Sequence, residues 1–227
     1  MELYSWLWEF FIGVAPVLTQ ICNRPDTMPT DPYSYDMTCQ MLTGSFSDNI
    51  TPSGNPLFMQ YNMEDGTHWK EIVTEIGKMD NKPTIIFVDE ADRGCEGTGN
   101  LFILEELAKA LKMNFVYGAE FLEWKDEDNN VCTTGNGILS KYPLKNAQVM
   151  QFEHQCCWFS HRLGGRNAVF AEATIDGVDV QLTAAHLESG TALKDQLECI
   201  AVKTMQATEI TRLGQKFKGT HFVSGDF

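Results

Sequence analysis

Four polar side chains stand where short runs of β-forming residues end: Asn62 after Tyr61, Glu90 after Val88-Asp89, His186 after Thr183-Ala184-Ala185, and Asp226 after Val223-Ser224-Gly225. A strand end is a good mount for chemistry, because the sheet fixes the backbone while the neighbouring loops leave the side chain open to a substrate. A carboxylate such as Glu90, joined by an amide oxygen such as that of Asn62, suits Mg²⁺, which takes hard oxygen ligands and keeps several waters. The imidazole of His186 can move a proton near neutral pH, and the carboxylate of Asp226 can orient or activate a water. As a set these residues have the ingredients of metal-assisted hydrolysis. Taken singly, an acid at a strand end is more often a turn residue, and a lone histidine more often a satisfied polar side chain.

The elements that must carry them follow from periodicity. Leu57 to Tyr61 is an apolar run of strand length, and Trp69, Ile72, Val73 and Ile76 recur at helical spacing. Thr84 to Val88 is an uninterrupted β-branched and aromatic run, the pattern of a strand buried on both faces. Leu101, Leu104, Leu107, Ala108 and Leu111 predict a second amphipathic helix, and Asn114 to Tyr117 another strand. Ala168 to Ile175 and Val178 to Ala185 are extended runs joined by Asp176-Gly177, a dipeptide that favours a two-residue hairpin turn because both central residues need positive φ. A long helix over about 191–213 places Leu193, Leu197, Ile200, Ala201 and Thr204 on one stripe, and the chain ends on the strand His221-Phe222-Val223. Helices alternating with strands, together with an antiparallel hairpin, predict an α/β (α+β) domain with a mixed sheet and exclude a simple doubly wound nucleotide-binding fold.

Composition sets outer limits. A chain of 227 residues can bury one sizeable core. Its formal charge of −14 and pI near 4.7 argue against a broad basic surface for gripping nucleic acid, leaving room for a local basic site, and suit either a cation-binding cleft or simply a solvated surface. The seven cysteines include no C-x-x-C pair and no zinc-ligand spacing. They fit reduced core thiols better than a disulfide framework, with a bridge or two and the compartment left open. Leu3 to Cys22 is apolar, but it lacks a basic flank, carries Glu9 and contains Pro16, so no stable membrane span is expected there. From Asn23 to Pro56 no period is sustained, so residues 1–56 read as an irregular N-terminal extension, with a sequon at Asn49-Ile50-Thr51, and 57–227 as the domain. The pair Cys156-Cys157 near His154 reads as core or incidental, and no Gly-rich segment precedes a Lys-Ser/Thr pair.

Five motifs occur in order: Val-Asp-Glu-Ala-Asp-Arg-Gly (Val88 to Gly94), Gly-Asn-Gly-Ile-Leu-Ser-Lys-Tyr-Pro-Leu (Gly135 to Leu144), Gly-Arg-Asn-Ala (Gly165 to Ala168), Ala-His-Leu-Glu (Ala185 to Glu188) and Ser-Gly-Asp-Phe (Ser224 to Phe227). Together they resemble the endonuclease/exonuclease/phosphatase superfamily over Leu57 to Phe227. The resemblance implies a mixed-sheet α/β/β/α sandwich of the deoxyribonuclease-like type and a Mg²⁺-dependent hydrolase of phosphodiester or phosphomonoester bonds, with Mn²⁺ as a substitute. It implies that Asn62 and Glu90 hold the metal, that His186 acts at the scissile phosphate and that Asp226 aligns the attacking water. It places Asn136 and Arg166 near the phosphate, and Glu120, in Tyr-Gly-Ala-Glu, where some relatives have a carboxylate that orients the histidine. The implied substrate is a phosphate ester: nucleic acid, phospholipid or small nucleotide.

Two departures stand out. Asp89 occupies the place where this superfamily usually has Gln, and the Asn that normally follows Ser-Gly-Asp-Phe, with the later Asp-His pair that supplies a second catalytic histidine, would lie beyond Phe227. The domain is therefore expected to be incomplete at its C-terminus, about one sheet with its helices and the start of the other half. A sheet face left apolar and exposed would favour self-association. Two functional readings follow: an enzyme, or a catalytically inactive remnant that binds a partner through that face.

Overall fold

A computed structural model describes residues 29–47, 54–123, 132–156, 162–189 and 196–227. In chain order the elements are β1 (Met41–Gly44), β2 (Phe58–Asp65), α1 (Trp69–Lys78), β3 (Ile85–Arg93), α2 (Ile103–Leu111), β4 (Asn114–Glu123), β5 (Cys132–Ser140), β6 (Lys145–Gln151), β7 (Arg162–Gly164), β8 (Asn167–Ile175), β9 (Val178–Ala185), α3 (Gln196–Gly214) and β10 (Thr220–Ser224). They form two mixed sheets. The first runs β1-β4-β5-β3-β2, with β7 also paired to β4, and the second runs β10-β9-β8-β6.

The strands alternate as their sequences do. On one face of the first sheet Ile86, Val88, Phe115, Tyr117 and Leu139 pack with Ile76 of α1 and Ile103, Leu104 and Leu107 of α2. On its other face Ile85, Phe87, Val116 and Ile138 meet Val169, Ala171, Leu182 and Ala184 of the second sheet. The far face of the second sheet, with Ala168, Phe170 and Ala185, is covered by Ile210 and Leu213 of α3. The layers are thus α/β/β/α, and each large side chain fully enclosed between them contributes about 1.5–3 kcal/mol.

The Asp176-Gly177 hairpin forms as the turn chemistry requires, with φ of 49° and 86° and antiparallel register from Ile175↔Val178 to Ala168↔Ala185. Other details differ from the sequence reading. Two substantial sheets are present, more than one sheet and the start of another. Residues 41–44, inside the stretch read as irregular, form the edge strand β1 against β4, and Met37 just before it is buried; four residues are too few to show a period. The buried face of α3 is Cys199, Gln206 and Ile210, whereas Ile200 of the expected stripe is 58% exposed and Ala201 and Thr204 also face outward. That register is set by non-local ties: a disulfide at Cys199, and the Gln206 amide, whose Oε1 accepts from Glu188 N–H and whose Nε2 donates to His154 C=O. Cys95–Cys132 and Cys156–Cys199 are disulfides, which corrects the reading of reduced thiols; the partner of a cysteine is a tertiary fact that spacing alone does not give. The segment Leu3 to Cys22, the whole sequon Asn49-Ile50-Thr51, and Leu193 and the side chain of Leu197 from the expected stripe lie outside the described residues. No described helix is long and apolar enough to cross a membrane.

Candidate active site

The inter-sheet layer is apolar along most of its length and polar at one end, because the same alternation that points apolar residues inward points polar ones inward at the strand termini. In β3 the series is Ile85, Phe87, Asp89; in β5, read backwards, Ile138, Asn136; in β8, read backwards, Ala171, Val169, Asn167; and from β9, Leu182, Ala184, His186. Asp89, Asn136, Asn167 and His186 are all at most 2% exposed.

Three strands of the first sheet bulge at this level. Pairing shifts between Asn62 and Asp65 in β2, between Val88 and Ala91 in β3, and between Ala119 and Phe121 in β4. Each bulge spends ladder pairing to re-aim a side chain, a device common beside active sites. In β4 the extra residue is Glu120, and in β3 Asp89 and Glu90 together oppose Asn136. Glu90 adopts φ 57°, a left-handed conformation that costs a non-glycine residue about 1 kcal/mol or more.

The geometry centres on His186. Its Nδ1 lies 3.5 Å from Glu120 Oε2 and its Nε2 3.7 Å from Glu90 Oε1. Arg166 Nη1 donates to Glu120 Oε1 at 2.6 Å and lies 2.8 Å and 3.0 Å from the two ring nitrogens of His186. Nη2 of the same guanidinium donates to Ser189 Oγ at 3.2 Å. Burial lowers the His186 pKa, but the Glu120 carboxylate outweighs it and holds the imidazole above its ordinary value. Burial would raise Glu120; Arg166 and His186 beside it keep it below the usual carboxylate range. Arg166, although buried, stays charged because Glu120 faces it.

The remaining residues frame this trio. Asn62 Nδ2 donates to Asp226 Oδ2 at 3.0 Å, joining β2 of one sheet to the end of β10 of the other, and Asn62 Oδ1 accepts from Glu64 N–H at 3.0 Å. Asp226 is positioned by Gly225, where a Cβ would collide with the Ala185 carbonyl, and its own C=O accepts from Leu187 N–H at 2.9 Å. Asn136 Nδ2 donates to Asn167 Oδ1 at 2.9 Å. The backbone of Arg166 is held at both its N–H and C=O by the Gln155 amide, at 3.0 Å and 3.1 Å, and Glu188 Oε2 accepts from Cys156 N–H at 3.1 Å. The Cys156–Cys199 disulfide ties this loop to α3.

All seven residues singled out in the sequence thus lie at one end of the inter-sheet layer. Arg166 is turned toward Glu120 and His186 and is 7% exposed. His186 is packed on several sides, where the strand alternation alone predicts a lightly packed cleft residue. The sequence reading passed over Asn167, Glu188, Gln155 and Gln60. Two of these sit inside motifs already noted, Gly-Arg-Asn-Ala and Ala-His-Leu-Glu, so the signal was present without a role; for the two glutamines no signal was.

The donor set fits a hard cation. Asp89 Oδ1 and Asn136 Oδ1 are buried oxygens without a hydrogen-bond partner, and carboxylates outnumber the basic side chains around them. Oxygen-only donors of this kind suit Mg²⁺ or Mn²⁺. Asp92, Cys95 and Cys132 also cluster, but the cysteines are joined in a disulfide and offer no thiolate.

No protein-family model matches the sequence, and no curated protein matches it. Solved structures do match in fold. A β-hairpin deletion mutant of β toxin from Staphylococcus aureus aligns with a TM-score of 0.54 at 16% identity, over 76% of this chain and 66% of that one. SmcL aligns with a TM-score of 0.51 at 12% identity, over 74% and 62%. An endonuclease/exonuclease/phosphatase from Beutenbergia cavernae DSM 12333 aligns with a TM-score of 0.48 at 15% identity, over 67% and 43%. At such identities the likeness is one of fold: the chain has the deoxyribonuclease-like α/β/β/α fold that its motifs resemble. It spans less than two thirds of the SmcL chain.

Proposed function

We propose that the protein is a metal-dependent hydrolase of phosphate esters, acting on phosphodiester or phosphomonoester bonds. The observation that carries this reading is the convergence of His186, Glu120, Glu90, Asn62 and Asp226 on one end of the sandwich, with buried oxygens there lacking partners. Asn62 and Glu90 would hold Mg²⁺, or Mn²⁺ in its place, and the bound ion supplies charge neutralisation at the phosphate oxygens. Asp226 orients the attacking water. His186 donates a hydrogen bond to the phosphate, in an orientation fixed by Glu120. Asn136 lies on the same wall, and Arg166 sets the electrostatics of the pair it bridges. The substrate is a phosphate ester of nucleic acid, phospholipid or small-nucleotide type; the net charge of −14 disfavours nonspecific duplex binding. Hydrolysis of bis(p-nitrophenyl) phosphate that requires Mg²⁺ or Mn²⁺ and stops on chelation tests the reading.

A second reading, a binding module that engages a partner, is favoured by one observation. Phe222, Val223 and Phe227 along and after the edge strand β10 are 38%, 40% and 56% exposed. Exposed apolar residues on an edge strand favour association through that edge. Metal-independent partner capture by a protein without hydrolytic activity would support this reading over the first.

A further inference from the structure

The residue before Glu90 is assigned no ligand role above, yet it is an acid of the site as shut off from solvent as Glu120. Asp89 is wholly buried; its Oδ2 accepts from Gln60 Nε2 at 2.9 Å, and its Oδ1 has no partner. Directly across the bulge, Asn136 uses its amide nitrogen on Asn167 and leaves its own Oδ1 buried and unpartnered. Two acceptor oxygens from adjacent strands therefore lack a donor at one point of the inter-sheet layer.

We infer that Asp89 is itself a cation-binding residue, its Oδ1 oxygen engaging the divalent ion together with Glu90, so that two consecutive carboxylates of the β3 bulge hold the charge. This rests on the metal-dependent reading and goes beyond the Asn62 and Glu90 pair.

The physical case is one of satisfaction. A buried carboxylate oxygen without a donor or a positive partner is costly, and the cost must be met by something. The side chains that act electrostatically on Asp89 include Glu120 and Asp226, which repel it, and His186, which is engaged with Glu120 and Arg166. The Arg166 guanidinium is committed to Glu120 and Ser189. A positive charge from outside the protein meets the need: a proton, which burial makes Asp89 hold more readily, or a cation that displaces it. The unpaired atoms at this point are oxygens of a carboxylate and an amide, so the cation is a hard divalent one. The bulge makes the arrangement feasible: an uninterrupted strand would send consecutive side chains to opposite faces, whereas the left-handed Glu90 breaks the alternation immediately after Asp89.

The test is calorimetric titration of the full chain with Mn²⁺ and with Mg²⁺, comparing wild type, Asp89→Asn and Glu90→Gln, with melting curves recorded with and without metal. Asp89→Asn is expected to weaken Mn²⁺ binding about 10- to 100-fold and to shrink the metal-induced rise in Tm, the range typical when a metal site loses a supporting group. Its metal-free Tm should equal or exceed that of wild type, since the amide preserves shape and removes an uncompensated charge. Wild-type affinity in Asp89→Asn, or a lowered metal-free Tm with unchanged affinity, overturns the inference; if Glu90→Gln is weakened in the same experiment, the proposed function still stands. Absence of Mg²⁺ and Mn²⁺ binding by the wild type overturns both.

Discussion

Glu120 and His186 meet across the two sheets, Oε2 of one 3.5 Å from Nδ1 of the other, and Arg166 contacts both. The consequence is reciprocal. Glu120 favours the charged imidazole, Arg166 opposes it, and both are held in place because each is also the other's partner.

Replacing Glu120 by Gln removes the charge that outweighs burial at His186, so the imidazole pKa should fall below its ordinary value of 6.5. Because the wild-type pKa is raised on folding, protonation of His186 stabilises the fold fully below the unfolded value and is lost as pH rises through the folded one. Glu120, lowered on folding, contributes above its unfolded value and loses that contribution as pH falls. The variant should also lose about 3 kcal/mol of stability, since Arg166 is left without its carboxylate. Histidine NMR titration and urea unfolding check both; an unmoved His186 titration would contradict the coupling.

Asp92 is 6% exposed, and burial, followed by the nearby carboxylates of Asp65 and Glu123, pushes its pKa up to about 7. A carboxyl raised on folding favours the fold below its unfolded value of 3.8 and loses that contribution as pH rises toward 7. Asp92→Asn should therefore be more stable than wild type at pH 8, by roughly 2–4 kcal/mol, with the gain vanishing near pH 4. A gain that is the same at both pH values would show that its origin is packing.

Much of the site was legible. Strand ends carrying Asn62, Glu90, His186 and Asp226 could be read from apolar runs, and the hairpin from Asp176-Gly177, because these signals are local. β5 was not. Its Cys-Thr-Thr-Gly-Asn-Gly-Ile-Leu-Ser sequence carries no strand signal of its own, yet every residue is buried, and its glycines are there because neighbours press in: a Cβ at Gly135 would lie 2.8 Å from the Tyr117 hydroxyl, and one at Gly137 would run into Leu104. β3 runs past the apolar Val88 to Arg93, since a bulge lets the strand resume after its acidic pair. The face of α3 and the disulfides depend on contacts distant in sequence and leave no periodic trace.

The Cys156–Cys199 disulfide holds the loop whose Gln155 clamps Arg166 and whose backbone binds Glu188. Replacing both cysteines by Ser should cost about 2–4 kcal/mol in unfolding free energy, given the 43-residue separation. Non-reducing peptide mapping should recover the linked peptides from the wild type. Free thiols at both positions in oxidised protein would count against the pairing.

The exposed β10 residues Phe222, Val223 and Phe227 should drive concentration-dependent self-association. Light scattering coupled to size exclusion, on wild type and Phe227→Ser, checks this: the variant should shift toward monomer. A monodisperse wild-type monomer at high concentration would argue that the edge is innocuous.

The most direct measurement of the central claim is the rate of bis(p-nitrophenyl) phosphate hydrolysis by wild type and His186→Ala, each with Mg²⁺ and with chelator, alongside the melting temperature of both. The account predicts metal-dependent turnover that falls by at least about 10²-fold per folded molecule in the variant, as expected on removing a positioned imidazole. The variant should also lose about 1–3 kcal/mol of stability, because Glu120 and Arg166 lose a buried partner. A wild-type protein inactive with both Mg²⁺ and Mn²⁺, or a destabilised variant whose rate per folded molecule is unchanged, would contradict it.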